Sequence, residues 1–177
     1  GKDEVKKFKI GFIEKNPSFF DKLKKEFSEK TLLESGLFYL DEKKNIFLER
    51  FRGRLIFPIN NISGQPIALG GRIIESSDYL AKYINSPETT FFKKGSNLYN
   101  LDIARKLSNK IDHIFLVEGY MDVVGLSKNG IENVVANLGT SLTDKQISTL
   151  NQFFDDIIIC FDGDQSGYKA ALRAAEN

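Results

Sequence analysis

Apolar and polar positions change their period along the chain. In the first sixty residues the pattern is mixed. From Pro17, the side chains of Phe19, Phe20, Leu23 and Phe27 recur at helical spacing with Lys22, Lys24 and Lys25 turned away, which predicts a core-facing amphipathic helix. Thr31 is placed to cap a short second helix through Glu34, and Gly36 suits its stop. Between Asn45 and Ile74 the runs Ile46-Phe47-Leu48, Leu55-Ile56-Phe57 and Ile67-Ala68-Leu69 predict short strands of a small antiparallel sheet. Asn60-Asn61-Ile62-Ser63-Gly64 would be the turn between the last two. Residues 79–101 lack a sustained period and read as a loop-rich passage.

From Lys110 the pattern becomes regular. Ile114-Phe115-Leu116-Val117 predicts a strand, Tyr120 to about Asn129 a helix closed by Gly130, and Val134-Val135-Ala136 a second strand. Thr143 and Gln146 form a capping box for a helix reaching about Phe153. Asp156 to Phe161 is a third apolar run, and Ser166 to Glu176 a third helix. This β-α-β-α-β-α order predicts a parallel sheet with right-handed crossovers. The fold class expected is therefore α/β, an α+β N-terminal part (residues 1–109) followed by a parallel βαβαβα part (residues 110–177).

Composition narrows the chemistry. With 177 residues, 41% hydrophobic and 28% charged, the chain can bury one good core or two small ones. No apolar run approaches the roughly 20 residues that span a bilayer, and the N-terminus has no apolar signal core, so a cytoplasmic protein is expected. The single cysteine, Cys160, lies in an apolar run and is expected to be buried; a disulfide framework and a Cys/His zinc site are excluded. Any metal must be held by oxygen. Net charge is +1, yet residues 1–110 hold 21 Lys+Arg against 14 Asp+Glu, while residues 111–177 hold 4 against 10. One part fits polyanions and the other cations, although solubilising charge accounts for both equally well.

Candidate chemistry collects where the strands end. In a parallel sheet the C-terminal strand ends share one rim, so Glu118 after the first strand and Asp162 and Asp164 after the third belong together. Carboxylates so grouped repel unless a cation neutralises them, and three oxygen ligands plus water suit Mg²⁺. Asp122 reads as a helix N-cap. Asp162, Asp164, Ser166 and Gly167 fit the start of an EF-hand loop, but Arg173 occupies its twelfth position and a strand precedes it. A strand followed by Asp-x-Asp also fits a haloacid-dehalogenase phosphatase, which leaves Glu118 without a role. No dinucleotide or Walker motif occurs, and Gly70-Gly71 fits either a close ligand approach or a bend. Arg50, Arg52, Arg54 and Arg72 recur at even spacing, so strand alternation would align several on one face. Residues 79–101 interleave Tyr83, Phe91, Phe92 and Tyr99 with Lys82, Lys93, Lys94, Asn85 and Asn97. That is the composition of a single-strand nucleic-acid groove, and equally of a loop packed on a core.

Val117-Glu118-Gly119-Tyr120-Met121-Asp122, Leu138-Gly139-Thr140 and Phe161-Asp162-Gly163-Asp164 with Gly167 resemble the Toprim module of bacterial DnaG-type primases. Upstream, Arg54-Leu55-Ile56-Phe57-Pro58-Ile59, Gly70-Gly71-Arg72, Lys82 through Thr89, and Lys94-Gly95 with Leu98-Tyr99 resemble that family's catalytic core in the same order. The resemblance implies nucleotidyl transfer that makes RNA primers on a single-stranded DNA template from ribonucleoside triphosphates. Glu118 would be the catalytic carboxylate, and Glu118, Asp162 and Asp164 would bind Mg²⁺ or Mn²⁺, with no zinc. Lys82, Lys94, Arg72, Arg54, Arg52, Tyr83 and Asn85 would contact template and nucleotide. A replicative helicase would bind through a domain outside these residues, in a bacterial cytoplasm. The chain itself is expected to be a monomeric core fragment with a truncated Toprim part. A DNA-binding Toprim module without catalysis is the alternative.

Overall fold

The computed structural model describes residues 1–15, 18–75, 79–139 and 141–175, with the backbone alone for 18–20. Contacts divide the chain into two compact units, Gly1–Pro58 with Ala68–Phe91, and Ile59–Ile67 with Phe92–Asn177. Residues 92–109, assigned to the N-terminal part on composition, thus group with the parallel sheet.

The first unit opens with helix α1 (Lys2–Lys7), strand β1 (Gly11–Ile13), and helices α2 (Ser18–Leu23) and α3 (Glu29–Glu34). The amphipathic helix is shorter than its spacing predicts. It ends at Leu23, and Phe27 lies beyond it with 47% of its surface exposed, so no apolar stripe of four residues forms. The start of that segment, Asn16 and Pro17, lies outside the described residues. In α3 the cap is Ser28, whose hydroxyl accepts from the Thr31 amide, and Thr31 is the third helical residue. Gly36 then takes φ +72°, the left-handed turn expected of a helix stop.

Strands β2 (Phe38–Asp41) and β3 (Ile46–Glu49) form their own antiparallel ribbon. Strands β4 (Arg54–Asn60), β5 (Pro66–Ile73) and β6 (Tyr83–Asn85) join β1 in a separate sheet of order β1-β4-β5-β6. The one antiparallel sheet expected here is therefore two. The turn between β4 and β5 falls where predicted, closed by Asn61, whose side chain accepts from the Ser63 and Gln65 amides at 3.0 Å. Within the loop-rich passage β6 pairs with β5, Tyr83 opposite Arg72 and Asn85 opposite Gly70. Ser86 locks that pairing, exchanging two hydrogen bonds with the Leu69 amide and carbonyl.

Gly71 has a packing role. A Cβ there would lie 2.7 Å from the Phe51 ring and 3.1 Å from Arg54 Cδ. Phe51 is 1% exposed, so the ring fills the space a side chain would need. Of the paired glycines, Gly71 thus serves the core.

The second unit contains helix α4 (Leu101–Ala104), strand β7 (His113–Val117), helix α5 (Tyr120–Lys128), strand β8 (Val134–Ala136), helix α6 (Asp144–Leu150), strand β9 (Asp156–Ile159) and helix α7 (Gln165–Ala175). The three strands are parallel in the order β8-β7-β9. Gly130, φ +87°, ends α5 as expected, while α6 stops at Leu150 and leaves Phe153 in a turn. Ile114, Leu116, Val135, Leu150 and Phe154 make its core with Leu98 and Leu101. On its outer side β8 is bridged by Tyr99, which exchanges backbone hydrogen bonds with Ala136. At the other side β9 pairs with β7 alone among the described residues.

Gly71→Ala should destabilise the protein by about 1–3 kcal/mol, because the added methyl displaces Phe51 or the Arg54 stem. Urea unfolding measures this; a midpoint equal to wild type would show that the pocket yields freely.

Candidate functional site

Where β7 ends, the chain runs into Glu118 and Gly119, and α5 begins at once. The Asp122 carboxylate reaches back one turn and accepts from the Gly119 amide at 2.9 Å. Asp122 is therefore the third residue of α5, and the N-cap position belongs to Gly119. Burial of the carboxyl raises its pKa, the Gly119 hydrogen bond lowers it less, and the neighbouring negative charge of Asp162 raises it further. Asp122 thus lies within electrostatic reach of Asp162.

The end of β9 is tied to the same place. The Cys160 amide donates to the Leu116 carbonyl at 2.8 Å, and the Asp162 amide then donates to Glu118 Oε1 at 3.0 Å. Glu118 is thereby joined across the sheet to the loop that holds the two aspartates, 44 residues on. Cys160 itself is exposed, contrary to expectation, because it follows the end of the outer strand β9.

Asp164 occupies the N-cap position of α7. Its Oδ1 accepts from the Gly167 amide and the Ser166 hydroxyl, both at 2.8 Å. These bonds, the Gly167 amide foremost, hold its pKa below the ordinary carboxylate range. Gly167 is buried against the Asp162 carbonyl, and a Cβ there would stand 2.8 Å from Glu118 Oε1 and closer still to that carbonyl. Only glycine admits α7 this near to Glu118. At Gly163, by contrast, an added Cβ would meet nothing within 4 Å.

Glu118, Asp162 and Asp164 are exposed, and among the described residues no three His, Cys, Asp or Glu side chains are grouped closely enough to hold an ion. The donor set is nevertheless all oxygen, the ligand type that hard divalent ions take. These residues suit a hard divalent ion in chemistry. One oxygen of Glu118 and one of Asp164 are engaged by protein donors, which leaves each carboxylate a second oxygen.

Beneath the rim, Tyr120 and Tyr99 meet edge to face, ring centroids 4.7 Å apart. Burial pushes both hydroxyls well above the ordinary tyrosine range, Asp102 adding to the effect at Tyr99, so both rings stay neutral. They anchor the start of α5 to the segment bridging β8.

Lys94 belongs to this unit and opens a 3-10 turn, Lys94–Ser96. The other basic candidates belong to the first unit. They form no row. Arg50 and Arg52 precede β4 in a turn; Arg50 donates to the Gly36 carbonyl and stacks at 5.4 Å on Tyr39. Arg52 is exposed. Arg54 is only 5% exposed and donates to the Ala81 and Lys82 carbonyls at 2.9 and 3.4 Å, its pKa lowered by burial. Alternation fails because β4 begins only at Arg54. What does assemble is a cluster on β5 and β6, in which Arg72 and Lys82 lie 5.9 and 5.8 Å from the Tyr83 ring.

The first 105 residues match the family model described as DNA primase catalytic core, N-terminal domain. The chain belongs to the DNA primase catalytic-core family. Residues 112–177 match the Toprim domain, which displaces the phosphatase reading of Asp162. A DNA primase of Enterococcus faecalis is 38% identical over 97% of this chain and 28% of its own length. A primase domain from Pseudomonas aeruginosa is 40% identical with TM-score 0.85, over 97% of this chain and 54% of that one. A DnaG primase catalytic domain bound to single-stranded DNA is 36% identical with TM-score 0.88, over 99% and 55%. The chain thus spans 22% to 30% of the length of these curated primases and about half of the two solved primase domains. Its fold, a mixed N-terminal part and a Toprim α/β sheet, is that of the primase catalytic core.

Sequence reasoning missed the engagement of Asp164 as a cap, although Asp-x-Ser-Gly before a helix is a legible capping signal. It also missed the buried grip of Arg54, which no local pattern announces.

In metal-free buffer, Asp164→Ala should lower the thermal midpoint at neutral pH. The bound carboxylate has a depressed pKa, so its contribution is full above the unfolded titration and is lost as pH falls through the folded value. The gap between variant and wild type should close as the buffer is acidified; a gap constant with pH would deny the charged cap.

Proposed function

We propose that this chain is the part of a primase that performs template-directed synthesis of RNA primers on single-stranded DNA. The observation that supports this reading is the Asp162–Glu118 hydrogen bond, which ties Glu118 to the loop carrying Asp162 and Asp164 in a chain whose other half matches the primase core. Glu118 is the catalytic carboxylate, and Glu118, Asp162 and Asp164 hold Mg²⁺ or Mn²⁺. A bound divalent ion supplies charge neutralisation for in-line attack of a 3′-hydroxyl on an α-phosphate. The protein's own task is position. Asp162 fixes Glu118 through its amide, and Gly167 lets the α7 terminus close behind both.

Residues 1–109 bind template and nucleotide, and residues 110–177 bind the ion. Lys82, Arg72 and Tyr83 suit a single strand, since a flat ring beside two cations takes a base face while the cations follow phosphate. Lys94, Arg52 and Asn85 add contacts to phosphate and base. Arg54 acts through Lys82, whose peptide carbonyl it grips. Ribonucleoside triphosphates are the second substrate, and a replicative helicase engages the protein outside these residues. The protein works as a monomer in the cytoplasm; among the described residues no helix is long and apolar enough to cross a membrane. A second reading is favoured by the engagement of Asp164 in capping: a DNA-binding Toprim module whose acids are structural.

Glu118→Gln in the full-length protein should abolish primer synthesis while leaving the thermal midpoint near wild type. Normal synthesis by that variant would sink the catalytic assignment. Absence of synthesis by the wild-type protein, with DNA binding independent of Mg²⁺, would favour the structural reading. Affinity for single-stranded DNA should fall steeply with salt, the slope in log–log form losing about 0.7 for each phosphate contact removed. A flat profile would exclude the lysines as phosphate contacts.

A further inference from the structure

We infer that Gln146 is the positioning residue of Lys94, holding the lysine's main chain in the conformation that presents its ammonium to nucleic-acid phosphate. The inference rests on the proposed role of Lys94. Gln146 is 0% exposed, and its carboxamide is fully used. Oε1 accepts from the Thr143 amide at 3.1 Å, which completes the capping box of α6. The nitrogen does something a cap does not need: Nε2 donates to the Lys94 carbonyl at 3.1 Å and the Asn97 carbonyl at 2.8 Å. The neighbouring Thr143 hydroxyl donates to the Gly95 carbonyl at 2.7 Å. Three of the four carbonyls in residues 94–97 are thus held by two side chains of α6.

Chemistry explains why an amide stands here. Glutamate would cap α6 equally well and suit the helix dipole better, but its carboxylate would meet two carbonyl oxygens in a site closed to water. A neutral side chain carrying both an acceptor and two donors satisfies cap and turn together. The other end of the segment is fixed as firmly, by the Tyr99 bridge to Ala136. Lys94 stands on a peptide clamped on both sides, so its main chain is already ordered when a phosphate binds.

The test measures binding of a fluorescein-labelled oligothymidylate to the 177-residue chain across a salt series, for wild type, Lys94→Ala, Gln146→Met and the double variant. Lys94→Ala should weaken binding several-fold and flatten the log–log salt slope by about 0.7. Gln146→Met should move affinity and slope in the same direction, and the double variant should lose no more than the larger single loss. Wild-type slope in Gln146→Met, or losses that multiply in the double variant, would overturn the inference, since a purely structural residue changes stability without changing a phosphate count. Thr143→Val, which removes the Gly95 contact alone, guards against misfolding of Gln146→Met. It should flatten the slope in part, and an unchanged slope would count against the clamp. An unchanged slope in Lys94→Ala would instead overturn the reading of Lys94 itself, and the inference with it, a result distinguishable from failure at Gln146 alone.

Discussion

A single hydrogen bond, from the Asp162 amide to Glu118 Oε1, carries the geometry of the acidic rim. Parallel strands bring their ends to one edge, but they do not fix side chains that project beyond the last ladder bond. Here the ladder is continued by one more backbone bond at Cys160 and then by the carboxylate itself. The cost is steric. For the loop after β9 to fold back onto Glu118, α7 must begin against the Asp162 carbonyl, and that demands the missing side chain of Gly167. Cap, glycine and carboxylate form one linked arrangement, so a change at any of them is felt at the others.

The basic residues follow a different rule. Two of the chain's candidate phosphate contacts are held by their own peptide groups. Arg54 grips the carbonyls of Ala81 and Lys82, and Gln146 grips those of Lys94 and Asn97. Bonds of this kind fix the point from which each lysine side chain leaves the backbone.

Much of the second unit was legible because its signals are local. Apolar runs of strand length, a Thr143–Gln146 box and Gly130 after a helix each act within a few residues, and parallel order followed from their alternation. Glu118 and Asp162 were found because topology alone assigns strand ends to one rim. The first unit was less readable. Strands β1, β2 and β6 are three or four residues long and take their structure from their pairing partners, Gly11 from Ile56, Phe38 from Glu49 and Tyr83 from Arg72. The arginine row failed for a related reason, since even spacing implies one face only inside a strand. Phe27 misled because period is a necessary sign of a buried face and not a sufficient one.

The two sides of the parallel sheet differ in a way that bears on handling. β8 is covered by the Tyr99 bridge, whereas β9 keeps one row of amides and carbonyls without a strand beside it among the described residues. Ile158 is 39% exposed on that strand, and Cys160 follows it into solvent. Such a row is a template for an extended chain. In concentrated solution the same feature favours strand-to-strand association between molecules. An oxidisable thiol at its end would then make transient pairs permanent.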